Sequence, residues 1–245
     1  MPKPKIDETT AVRRIVLERL LTPVFQPIVD IRMRALLGYE ALIRGPQDNE
    51  LHFPDALFSA AKAAGIEREL EHACREISLR EFARLRLSGR LFLNVTPGCL
   101  LDPVMLNGQT QSLLQTLGLP ANRIVLELTE NQQITHIPGI QEALQHYRGR
   151  GFQIAIDDLG EGFANLRMWS DLRPEFVKID KHFIAGIADD RIKYHFVRAM
   201  PDQFILRIFL ISQVLLCDTL CLGQDQGLSR GDRVILRRQH SAAGR

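Results

Sequence analysis

Several things are scarce in this chain, and each scarcity removes a class of function. The four cysteines, Cys74, Cys99, Cys217 and Cys221, form no CxxC pair and have no histidine spacing suited to zinc, so they read as ordinary reduced thiols. Net charge is only +2, which gives no bulk electrostatic case for a DNA or RNA polymer or for a membrane surface. The N-terminal "MPKPKIDETT" lacks the apolar core of a signal peptide. A membrane span needs roughly 20 apolar residues with few or no charges. The best candidate, residues 204–222, is interrupted by Arg207, Gln213 and Asp218. These absences predict a cytoplasmic, non-membrane protein. No repeat period is visible, and glutamate is missing altogether after Glu175.

What is present is an average globular mix, 45% hydrophobic and 24% charged over 245 residues, enough for one large core. Most of the positive charge is arginine, which suits anion contacts. Helical spacing is predicted over residues 10–21, 55–87, 109–118, 138–149 and 183–199. Between them lie short apolar runs that read as strands: "VFQPIVDI", "ALLGYEALIRG", "RLFLNVTP", "RIVLELTE", "FQIAIDDL" and "FVKIDK". Strand and helix alternate, which predicts a mostly parallel sheet.

The polar residues fall at a telling place. Glu40, Asn94, Glu127, the pair Asp157–Asp158, and Lys178 with Asp180 each lie near the C-terminal end of a predicted strand. In parallel α/β barrels those ends converge on one face, where active sites are built. Taken singly, each has a duller reading: a strand-end carboxylate is usually solvated, Asn94 could form a turn before Pro97, and Lys178 could reach to water. One site explains them together. Carboxylates and a carboxamide are oxygen donors, suited to Mg²⁺ or Mn²⁺. A carboxylate pair can serve two such ions, and two ions can clamp an attacking water against a phosphate. Lys178 and Asp180, two apart on a strand, share a face. Glu130 lies beyond its strand and should serve a neighbouring loop.

The same residues lie in motifs that resemble the EAL-domain family. "YEALIRGP" contains the Glu-Ala-Leu of its name at residues 40–42, and "FQPIVD", "NVTP", "ELTE", "DDLGEGFANL" and "VKIDKHFI" follow the family's order and spacing. The resemblance spans about residues 12–200, so residues 1–200 are read as the domain and 201–245 as a divergent tail. It implies a modified (β/α)8 TIM-like barrel whose first strand runs antiparallel. It also implies cyclic di-GMP as ligand, hydrolysed to linear pGpG. By motif match, Glu40, Asn94, Glu127 and Asp157 would hold one metal, and Asp157 and Asp158, with Asp180 nearby, the second. Lys178 would position the water, Glu130 would steady loop 159–165, and Gln26 and Arg44 would contact the dinucleotide.

The chain also departs from that pattern. Leu159, Glu161, Phe163, Ala164 and Asn165 stand where the family usually has Phe, Thr, Tyr, Ser and Ser. The family's dimer contact lies around this loop, so a homodimer is an expectation these substitutions leave open. The later "EGVE"-like motif, whose glutamate serves the second metal as the catalytic base, has no counterpart. Strands 7 and 8 are therefore not recognisable, and an incomplete barrel is expected, its two free edges a hazard for aggregation. A change of reading frame after "FVRAM" would produce such a break. Two functions follow: an EAL-type phosphodiesterase lacking one catalytic group, or a degenerate domain that binds cyclic di-GMP or a protein without turnover. A poorly folding fragment is the third outcome.

Overall fold

The computed structural model describes residues 7–30, 35–129, 137–159, 170–179, 186–187 and 189–199. Six strands form one sheet in sequence order: β1 (Thr22–Asp30), β2 (Ala35–Arg44), β3 (Arg90–Val95), β4 (Ile124–Thr129), β5 (Gln153–Leu159) and β6 (Phe176–Ile179). β1 pairs antiparallel with β2, and every later neighbour pair is parallel. This is the inverted first strand that the motifs imply.

The sheet is curved, and side-chain contacts prove it. β2 and β6 are four strand steps apart, which in a flat sheet is about 19 Å at 4.7–4.9 Å per step. Yet Lys178 Nζ on β6 lies 3.2 Å from Glu40 Oε2 on β2. Only a sheet rolled toward a barrel brings them together. Close strand approach assists: a Cβ on Gly38 would lie 2.1 Å from the Arg90 carbonyl oxygen, so β2 and β3 can meet there only with glycine.

Rolling gives each strand two buried faces. The outer face, with Leu91, Leu93, Ile124, Leu126, Leu128, Ile154 and Ile156, packs with helix residues such as Leu79, Phe82, Leu144 and Tyr147. The inner face carries a smaller cluster of Ile28, Phe92, Val125, Ala155 and Phe176. Phe92 and Phe176 meet across the interior with ring centroids 5.5 Å apart. Two-sided burial explains why these strands read as near-continuous apolar runs.

Around the sheet lie α1 (Glu8–Leu17), α2 (Pro54–Ala64), α3 (Glu67–Arg84), α4 (Pro97–Leu100), α5 (Pro103–Leu106), α6 (Gln109–Leu117), α7 (Ile140–Gly149) and α8 (Arg191–Ala199). The single helix expected over 55–87 is two. Gly65 takes a left-handed φ of 67°, its N–H and that of Ile66 bond back to Lys62 O and Ala61 O, and α3 restarts at Glu67. Glycine at this position terminates a helix at no steric cost. α1 ends at Leu17, four residues before the expected end, because Arg19 turns left-handed at φ 57° and Leu20 N–H caps Ile15 O. The helix expected from 183 is described from Arg191. Among the described residues no helix is long and apolar enough to cross a membrane. Residues 201–245, with the question of strands 7 and 8 and of segment 204–222, lie outside the described residues.

Candidate metal centre at the strand ends

One layer above the apolar interior, the inner face turns polar. Strand alternation puts Asn94 two residues beyond Phe92, Glu127 beyond Val125, Asp157 beyond Ala155 and Lys178 beyond Phe176. Glu40 joins them from β2. The layer below matters to the chemistry. Rings and aliphatic groups beneath the acids keep the local dielectric low, which strengthens every charge interaction above them.

The acids converge. Ligand oxygens of Glu40, Glu127 and Asp157 all lie within 4.8 Å of one another. Lys178 Nζ stands among them, 3.2 Å from Glu40 Oε2, 3.1 Å from Asp157 Oδ2, and donating a short hydrogen bond to Glu127 Oε1. Asn94 Nδ2 donates to Glu40 Oε1 at 3.1 Å. The side chains of Glu127 and Lys178 are 0% and 5% exposed, and Asp157, at 16%, opens toward the mouth.

Among the described residues, three carboxylates surround one ammonium. Burial first, and then the Glu40 and Asp157 charges, push the Glu127 carboxyl well above the usual carboxylate range, against the pull of Lys178. Burial alone would lower the Lys178 ammonium, but Glu127, Glu40 and Asp157 outweigh it and hold the group charged above its ordinary value. Among the described residues Glu127 Oε2 is buried with no hydrogen-bond partner, a position that costs free energy unless something cationic or donating meets it. A divalent cation fits this donor set on three counts: hard oxygen ligands, mutual proximity and an orphaned oxygen.

Of the other expected site residues, Gln26 pairs directly with Glu40 across β1–β2, is half-buried, and shares the face of Ile28. Arg44 is half-buried at the end of β2, on the same strand parity as Glu40, with Nη1 donating to Ile43 O at 2.8 Å. Asp158 lies in β5, where pairing with β6 slips: Ile156 is opposite Val177 but Leu159 is opposite Ile179. One residue is extra within the aspartate pair, and such irregularities commonly re-aim side chains beside active sites. The Asp158 side chain, Glu130 and Asp180 lie outside the described residues.

Motif reading missed the floor of the site. Arg90 Nε donates to Gln153 Oε1 at 2.8 Å, and its guanidinium lies 5.5 Å from the Phe176 ring centroid. A polar residue at the start of β3 and another at the start of β5 were the available signal.

Known proteins resemble this chain in sequence and fold. The sequence matches the EAL domain over residues 10–204. The probable cyclic di-GMP phosphodiesterase PdeI of Escherichia coli (strain K12) is 32% identical over 175 residues, 67% of this chain and 22% of PdeI. This chain therefore spans about a fifth of that curated relative's length. Klebsiella pneumoniae BlrP1, solved as a calcium/cy-diGMP complex, superposes with a TM-score of 0.66 at 25% identity, over 82% of this chain and 47% of BlrP1. The Xanthomonas citri FimX EAL domain, solved with c-diGMP, gives 0.68 over 78% of this chain and 76% of its own. At 21% identity, FimX speaks to the fold alone. Motif order, inverted first strand and family match agree: this chain belongs to the EAL-domain family.

Proposed function

We propose that the chain is a phosphodiesterase module that binds cyclic di-GMP across the barrel mouth and hydrolyses it to linear pGpG. The observation that carries this reading is the gathering of Glu40, Glu127, Asp157, Asn94 and Lys178 at one rim. PdeI is named for this activity and BlrP1 was solved with this dinucleotide and a divalent ion. Here Glu40, Asn94, Glu127 and Asp157 would hold Mg²⁺ or Mn²⁺. Asp157 and Asp158, with Asp180 nearby, would serve a second ion. When bound, such ions supply Lewis-acid polarisation of a phosphoryl oxygen and lower the pKa of water.

The protein's own groups then have separable tasks. Lys178 supplies a positive charge that can stabilise negative charge developing on the phosphate oxygens. Arg44, above Glu40 on the same strand face, offers a guanidinium to a phosphate. Gln26 offers an amide from the neighbouring strand, and Glu130 steadies the loop after β5. A cytoplasmic setting, a domain ending near residue 200 and a homodimer belong to the same proposal. The free thiols of Cys74 and Cys99 accord with a reducing compartment.

One observation favours a second reading. No glutamate follows Glu175, so the late-strand glutamate of the family motif has no counterpart. General acid–base groups contribute about 10²–10⁴-fold, and its loss would leave a domain that binds the dinucleotide without turning it over. Incubation with cyclic di-GMP and Mn²⁺, followed by chromatography for pGpG, decides between them. Product that disappears in Glu40→Gln supports hydrolysis. Calorimetric binding without product selects the receptor. Neither heat nor product from a cooperatively melting sample refutes both.

A further inference from the structure

The three carboxylates able to ligate a cation already hold one. Lys178 Nζ is within hydrogen-bond reach of Glu40 Oε2, Glu127 Oε1 and Asp157 Oδ2, three oxygens from three different strands. A divalent ion drawing on the same acids needs oxygens at roughly 2.0–2.6 Å, and so needs the space the ammonium fills. An ammonium has no lone pair and cannot itself act as a ligand. Two cations in one low-dielectric cage also repel strongly. The two occupants compete.

The structure supports this from a second side. Among the described residues one ammonium faces three carboxylates, and Glu127 Oε2 stays buried with no hydrogen-bond partner among them. The lysine fills the cage without satisfying it. Its stem is long and rotatable, and of the three carboxylates it meets Asp157 is the most exposed, at 16% against 8% for Glu40 and 0% for Glu127, so the outward route for the head group runs past Asp157.

We propose that Lys178 is a tethered counter-ion: it occupies the cage in the metal-free chain and must withdraw toward the mouth before a divalent ion is held. This rests on the reading of the cage as a metal site. It adds an order of events. The cage stays partly neutralised and the barrel stays folded without metal. The ammonium is presented to substrate phosphate only once an ion has displaced it. Metal affinity is then set partly by a residue that is not a ligand.

Two measurements test it, both with Mn²⁺ alone and the full chain. In calorimetric titration, Lys178→Met should bind Mn²⁺ at least tenfold more tightly than wild type, because no ammonium has to leave. Equal or weaker binding by a variant that melts cooperatively overturns the proposal and leaves the metal site standing. Absence of binding in both proteins overturns the proposal together with the metal reading beneath it. Should the variant fail to fold, wild type still answers. Reductive methylation of Lys178, read by mass spectrometry, should rise severalfold when Mn²⁺ is added. Unchanged labelling at Mn²⁺ concentrations that saturate the calorimetric isotherm overturns the proposal.

Discussion

Replacing Glu127 by glutamine in the metal-free protein should stabilise it. Breaking one partner of an ordinary buried ion pair costs about 3–5 kcal/mol, because the other charge is left uncompensated. Here the other charge keeps two partners, Glu40 at 3.2 Å and Asp157 at 3.1 Å. Glu127 meanwhile suffers two like-charge neighbours within 4.8 Å. At an effective dielectric of 20, each such neighbour repels by about 3.5 kcal/mol, and one lysine at hydrogen-bond distance attracts by about 5.5 kcal/mol. Repulsion by the pair exceeds the attraction by roughly 1–2 kcal/mol on that scale, before the cost of burying the charge is added. For a domain of this size 1 kcal/mol moves Tm by about 2–4 °C. A thermal melt in EDTA should therefore show Glu127→Gln about 2–8 °C above wild type, while Mn²⁺ no longer raises the Tm of the variant as it does that of wild type. A fall of more than about 6 °C in EDTA, the size expected when a stabilising buried pair is broken, would refute the reasoning.

Further consequences follow from the same geometry. Because the Glu127 carboxyl is raised above its unfolded value, the native state binds the proton more tightly. Metal-free stability should then fall as pH rises from the ordinary glutamate range toward that raised value, and urea midpoints should show this slope in wild type but not in Glu127→Gln. Phe176→Ala removes a ring that packs on Phe92 and against the Arg90 guanidinium. It should cost about 3–5 kcal/mol in urea unfolding, and a loss below 1 kcal/mol would deny the filled interior. Arg44→Ala should weaken cyclic di-GMP binding by about 10–100-fold, as for a lost charged hydrogen bond, yet leave Mn²⁺ binding unchanged. Equal loss of both would place Arg44 in the cage rather than at the mouth.

Much of this site could be read before any coordinates. Asn94, Glu127, Asp157 and Lys178 each interrupt an apolar strand on the inward parity, and parity survives folding because a strand alternates faces at every residue. Curvature was legible only through the family resemblance, not in the strand pattern itself. It depends on inter-strand approach, such as β2 on β3 at Gly38, and on the Phe92–Phe176 contact across the interior. The break at Gly65 was not legible because a lone glycine inside a helical period is tolerated at a cost of about 1 kcal/mol and does not by itself mark an end. The place of the Lys178 ammonium among the acids was not legible in the motif, which marks the residue without saying which oxygens its head group meets in the metal-free chain. A long flexible side chain keeps several destinations open until its neighbours are fixed.

The claim on which all else depends is that Glu40, Glu127 and Asp157, with Asn94 beside them, enclose a divalent ion. Crystals grown with Mn²⁺ and measured at the manganese absorption edge address it directly. An anomalous peak at coordination distance from oxygens of those three acids is the predicted result. Well-ordered density for the cage at saturating Mn²⁺, with Lys178 still among the carboxylates and no anomalous peak, would contradict the account.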